Sequence, residues 1–93
     1  MIVKKNRSVD FAIQTLSPSD QQKVFNLFAH LENWENDQHM REASKASIYE
    51  NVFVLTTSDD IRITFNLDTT KKEITVLDIT RPSRFEHAGH SSG

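Results

Sequence analysis

The apolar period of this chain changes once, and that change limits the folds open to it. Between Val9 and Trp34 apolar residues recur three and four apart, whereas from Val52 to Ile79 they recur at every second position or in short runs. Side chains three and four apart share one face of a helix, and alternate side chains share one face of a strand. Helices followed by strands, each with one apolar face, imply an α+β domain in which helices cover one side of a single sheet.

The segments follow from this reading. Met1 to Lys5 opens with β-formers and reads as a short edge strand whose Lys4 and Lys5 discourage edge-to-edge pairing. Ser8 is placed to cap a two-turn helix carrying Val9, Ala12, Ile13 and Leu16 on one face. In Ser17-Pro18-Ser19-Asp20, Ser17 caps a second helix, Pro18 takes its first position, and Asp20 faces the positive helix end. That helix is expected to run to about Glu35, with Val24, Leu27, Phe28, Leu31 and Trp34 as its buried stripe. Trp34 and the Phe25–Phe28 region therefore read as packing residues. Glu35 to Ser47 is polar and aperiodic, a connection with room for a helical turn around His39 to Ala43.

Three strands close the chain: Val52 to Leu55, Ile61 to Leu67, and Ile74 to Ile79. The polar breaks Ser58-Asp59-Asp60 and Asp68 to Lys72 suit hairpin turns, so the strands should form an antiparallel meander. The expected architecture is a short N-terminal strand, two helices and a three-strand antiparallel meander. Residues 1–87 read as one domain, and residues 88–93 as a flexible C-terminal tail without assigned function.

Composition narrows the functions. Without cysteine there is no disulfide framework, thiolate nucleophile or cysteine-ligated zinc. His30 and His39 lie nine apart with no partner at metal-ligand spacing, so neither a metal nor another cofactor is expected. No apolar run approaches the ~20 residues of a membrane-spanning helix, and Met-Ile-Val-Lys-Lys lacks the apolar segment of a secretion signal. A cytoplasmic protein without membrane contact is expected. The net charge of −2 gives no global field toward phosphates, so any nucleic-acid contact must be a local patch.

The order of strand, two helices, meander and basic-aromatic tail resembles the RelE/ParE toxins of bacterial type II toxin–antitoxin systems. Asp60-Ile-Arg-Ile-Thr-Phe resembles that family's apolar-flanked arginine, which places Arg62 at that position. Ile74-Thr-Val-Leu-Asp-Ile-Thr-Arg81 resembles the family's final strand, with Arg81 and Phe85 at its basic and aromatic positions. The strand before Arg62 departs from the pattern, reading Phe53-Val-Leu where RelE proteins carry catalytic lysines. Phe85 stands where many members have tyrosine, and the acidic balance differs from their usual basic one.

The resemblance implies a toxin that cuts mRNA on the ribosome, with a cognate antitoxin laying a helix or strand across it and masking the arginines. The alternative is a non-nucleolytic protein on the same fold, either an inhibitor of DNA gyrase or a toxin relic that binds its antitoxin. RNA can be cleaved by its own 2′-hydroxyl, so the protein must supply a base, an acid and positive charge for the phosphorane. Arg62, Arg81, His87 and Glu50 are the candidate catalytic groups; Lys4, Lys5, Arg84 and Phe85 are candidate RNA contacts. Arg62 should project from the sheet face opposite Ile61 and Ile63, and Arg81 and Arg84 could join it around one phosphate. Against this stands the ordinary fate of an outer-face arginine, which is solvation or a cross-strand ion pair.

Overall fold

The computed structural model describes residues 1–81. Arg84, Phe85, His87 and the tail 88–93 lie outside the described residues. The chain runs through β1 (Ile2–Lys5), α1 (Arg7–Gln14), α2 (Pro18–Glu32), a 3-10 turn (Trp34–Asn36), α3 (Gln38–Ala43), β2 (Ser44–Ala46), β3 (Val52–Thr56), β4 (Arg62–Asp68) and β5 (Glu73–Thr80). The strands form one sheet in the order β1-β5-β4-β3-β2. The meander β3-β4-β5 is antiparallel as expected, and β1 adds to it in parallel beside β5, with Val3 opposite Ile74.

Two local expectations need correction. Asn6, not Ser8, precedes α1, because β1 ends with the Asn6 N–H donating to Val76 O at 3.2 Å and the next residue already turns into the helix. The connection before Ser47 holds the expected helical turn as α3, and after it a strand that its polarity does not announce. Asp37 caps α3 by accepting from the Met40 N–H at 3.0 Å, and Arg41 donates to Trp34 O and Glu35 O at 2.7 and 2.8 Å. Strand β2 then pairs antiparallel with β3, Lys45 opposite Val54, and forms the second sheet edge. With only three residues, none of them strongly apolar, β2 carries no period to read.

The second helix starts where its cap lies, with Ser17 Oγ accepting from the Asp20 N–H at 3.2 Å. It ends at Glu32, so Trp34 reaches the core from the 3-10 turn that follows. There its ring meets Phe65 edge-on at 5.6 Å and Phe53 at 6.4 Å between centroids. Val9, Val24, Leu31, Ile63, Phe65 and Val76 are wholly buried between the helices and the sheet. Phe25 was expected to pack but is about half exposed, touching only the edge of the core through Phe28. The sheet face away from the helices is open.

One irregularity matters for that open face. Thr64 is opposite Asp78 while its neighbour Phe65 is opposite Val76, so Leu77 is an extra residue in β5. A β-bulge of this kind breaks strict alternation and re-aims the side chains after it. Val76 and Ile79, three apart, are both buried, and Asp78 and Thr80 are exposed.

Candidate functional site

Arg62 opens β4 between Ile61 and Ile63, both wholly buried. Alternation therefore drives its guanidinium to the open face, where Thr56 on β3 and Thr80 on β5 are its cross-strand neighbours. Among the described residues it has no ion-pair or hydrogen-bond partner. A tight turn holds its backbone. Thr57 N–H donates to Ile61 O at 2.9 Å, Ile61 N–H donates to Thr57 Oγ1 at 3.1 Å, and Asp60 adopts φ 66°. Aspartate is among the few residues that tolerate that left-handed conformation.

Arg81 goes elsewhere. It is one residue past Thr80, so it points to the helix side of the sheet, where it pairs with the carboxylate of Asp20 in the first turn of α2. Its Nη2 also donates to Asp59 O at 3.1 Å, and Lys23 reaches the Asp59 carboxylate at 3.3 Å. Asp20 is only 4% exposed. The ion pair thus ties the β3–β4 turn and the end of β5 to α2. The expected meeting of Arg62 and Arg81 over one phosphate does not occur in this arrangement, because the two side chains leave opposite faces of the sheet.

The other expected residues are dispersed. Lys4 lies on the open face at the β1 edge and is paired with Glu73 at 3.0 Å; Lys5 lies on the helix side and is paired with Asp10 at 3.2 Å. Glu50 is exposed in the β2–β3 turn, while Arg62 is level with Thr56 at the far end of β3. Four strand steps, about 13 Å, separate those ends. Glu50 and Arg62 therefore stand at opposite ends of β3 and are not neighbours on the sheet. Arg84, Phe85 and His87 lie outside the described residues.

A second concavity of about 480 Å³ lies between α2, α3 and β3, with Leu27, Met40, Ala43 and Leu55 on its apolar wall. His30 and Asp37 meet at its rim, Nδ1 to Oδ2 at 3.1 Å. The Asp37 carboxyl is held below its ordinary value first by the Met40 N–H and then by His30. Among the described residues no three His, Asp or Glu side chains converge as a metal site would require.

The fold itself has known counterparts. The structure superposes on the isolated RelE toxin of Escherichia coli with a TM-score of 0.69 at 9% identity, covering 86% of this chain and 82% of the other. The fold is that of RelE. A chain of the RelBE2 toxin–antitoxin complex of Mycobacterium tuberculosis gives a TM-score of 0.71 at 14% identity over 86% of this chain and 95% of that one. A chain of the archaeal RelE–RelB complex of Pyrococcus horikoshii gives 0.64 at 19% identity, over 86% and 92%. No protein-family model matches the sequence, and no curated protein matches it either.

Within this RelE fold, two features escaped the reading of residues. One was the partner of Arg81, although a signal existed: Asp20 sits four before Val24 on the stripe that continues to Leu31. A carboxylate on a buried stripe requires a cation, since an unpaired buried charge is costly. The other was Lys45, which strand β2 brings to the open face and which nothing in the polar stretch around it singles out.

Proposed function

We propose that this chain is the toxin of a type II toxin–antitoxin pair and that it cuts mRNA on the ribosome, with Arg62 holding the scissile phosphate. The observation that carries this reading is an exposed arginine, without a partner among the described residues, at the start of β4 on the open face of a RelE fold. Charge placed where a phosphorane develops stabilises it most when its backbone is already ordered, as the Thr57–Ile61 turn orders Arg62. The chemistry belongs largely to the RNA, whose 2′-hydroxyl attacks the adjacent phosphorus. The protein must position and neutralise.

A cognate antitoxin is the partner in this reading. Structures of the same fold include toxin–antitoxin complexes, and the open face with Arg62 is the surface such a partner would have to mask. In this reading the protein acts in the cytoplasm, where ribosomes and messages are.

A second reading, a non-nucleolytic protein on this fold acting on gyrase or on its antitoxin alone, is favoured by one observation. Arg81 is committed to Asp20, which leaves the open face poorer in arginine than expected. Inducible expression in a bacterium separates the two. The first reading expects growth arrest with shortened messages, relieved in Arg62→Ala. Arrest with intact messages and DNA-damage signalling supports the second.

A further inference from the structure

The open face carries a row of residues in register across four strands: Lys45 on β2, Val54 on β3, Thr64 on β4 and Asp78 on β5. The adjacent row is Thr56, Arg62 and Thr80. From this geometry we infer that Lys45 and Arg62 together form the phosphate site, and that Asp78 faces them as the acceptor of the 2′-hydroxyl proton. The inference rests on the mRNA-cutting reading and supplies two of its residues.

Three observations support it. Among the described residues the open face presents three cations on its strands; Lys4 is neutralised by Glu73, whereas Lys45 and Arg62 have no ion pair. Arg62 and Lys45 are two strands and one row apart, about 12 Å between backbones from the usual strand spacing and rise. Two long side chains can converge on one phosphate across that span, over the short Val54 and Thr64. The third observation is the Leu77 bulge, which ends the alternation of β5 and turns Asp78 toward this same face.

Asp78 is exposed and without an ion-pair partner among the described residues. Its place is about 14 Å from Lys45 at the backbone, three strand spacings across the row. The space between admits a ribose and its 3′-phosphate. In the step, the 2′-oxygen forms a bond to phosphorus as its proton passes to the Asp78 carboxylate. The bond from phosphorus to the 5′-oxygen breaks, and that oxygen takes a proton from water. Asp78 then returns its proton to the hydroxide left in solvent. The products are a 2′,3′-cyclic phosphate and a 5′-hydroxyl end, with no net proton consumed.

Two measurements on the full chain test this. The first is binding of a fluorescein-labelled single-stranded RNA oligomer as salt is varied. Each lost phosphate contact should lower the slope of log affinity against log salt by about 0.7. Lys45→Ala and Arg62→Ala should each do so, Lys45→Arg should restore the slope, and Lys4→Ala should leave it alone. The second is cleavage of ribosome-bound message, where Asp78→Asn should bind RNA undiminished yet cut ~100-fold or more slowly. An unchanged slope in Lys45→Ala overturns the paired phosphate site, and full-rate cutting by Asp78→Asn overturns the proton acceptor. If the unaltered chain cuts no message, the mRNA-cutting reading falls and the role of Asp78 with it. The salt slopes alone then decide whether Lys45 and Arg62 share an anion.

Discussion

Asp20→Ala is expected to destabilise the domain severely, although the residue lies on the helix side of the sheet, away from the face that carries Arg62. Asp20 is 4% exposed, and the substitution leaves the Arg81 guanidinium against α2 without its carboxylate. Breaking a buried ion pair by removing one partner costs about 3–5 kcal/mol. Arg81 keeps 25% of its side-chain surface, so some solvation is recovered and the low end, about 3 kcal/mol, applies. Among the described residues the buried Nε of Arg81 has no hydrogen-bond partner even in the intact pair. For a domain of this size, 3 kcal/mol corresponds to a fall in Tm of roughly 12–24 °C. Thermal and urea unfolding followed by circular dichroism would measure it, with Arg81→Ala and the double variant completing a cycle. The double variant should lose less than the sum of the singles, since it leaves no charge behind. A loss below about 0.5 kcal/mol in Asp20→Ala, the range of ordinary surface changes, would refute the buried-pair account. The same cycle bears on Arg81 in RNA cutting. Loss of activity in Arg81→Ala should follow the fraction unfolded, not the salt dependence of RNA binding.

Further outcomes follow from the packing and the turn chemistry. Trp34→Ala should cost about 3–5 kcal/mol in urea unfolding, because the ring is packed against Phe53 and Phe65 and nothing near the 3-10 turn can refill its place. Deleting Leu77 removes the bulge and sets Val76 and Ile79 two apart, in plain alternation on the core face, so the fold should be kept, with amide NMR shifts confined to β5 and the strands beside it. Asp37 titrates below its ordinary value in the folded chain, so its cap on α3 contributes stability that is complete above the ordinary carboxylate range and lost as pH falls through the lowered value. The Met40 amide resonance should report that acid transition, and Asp37→Asn should abolish it.

The parts of the fold legible in the sequence were those with a strong local signal. The Ser17-Pro18 start of α2 and the alternating strands Ile61 to Leu67 and Ile74 to Ile79 stand where a period or a cap places them. The direction of Arg62 also follows from alternation, since Ile61 and Ile63 leave it one face only. What could not be read depends on pairings distant in the chain. Strand β2 is three residues long and exists because β3 offers it an edge; β1 runs parallel to β5 because α1 and α2 carry the chain across the sheet between them. The position of Arg81 illustrates both limits. Counting alternate residues from Ile79 would have put it on the helix side, but its partner Asp20 lies 61 residues away. That carboxylate was readable as a helix-end charge until its place on the buried stripe was considered.

The central claim is that Arg62 holds the scissile phosphate of a message. Mapping message 5′ ends across the transcriptome after brief induction tests it most directly, with Arg62→Ala expressed to the same level and shown to be folded. The account predicts new 5′-hydroxyl ends within translated codons for the unaltered chain and their disappearance in the variant. The same ends at undiminished frequency in Arg62→Ala would contradict it.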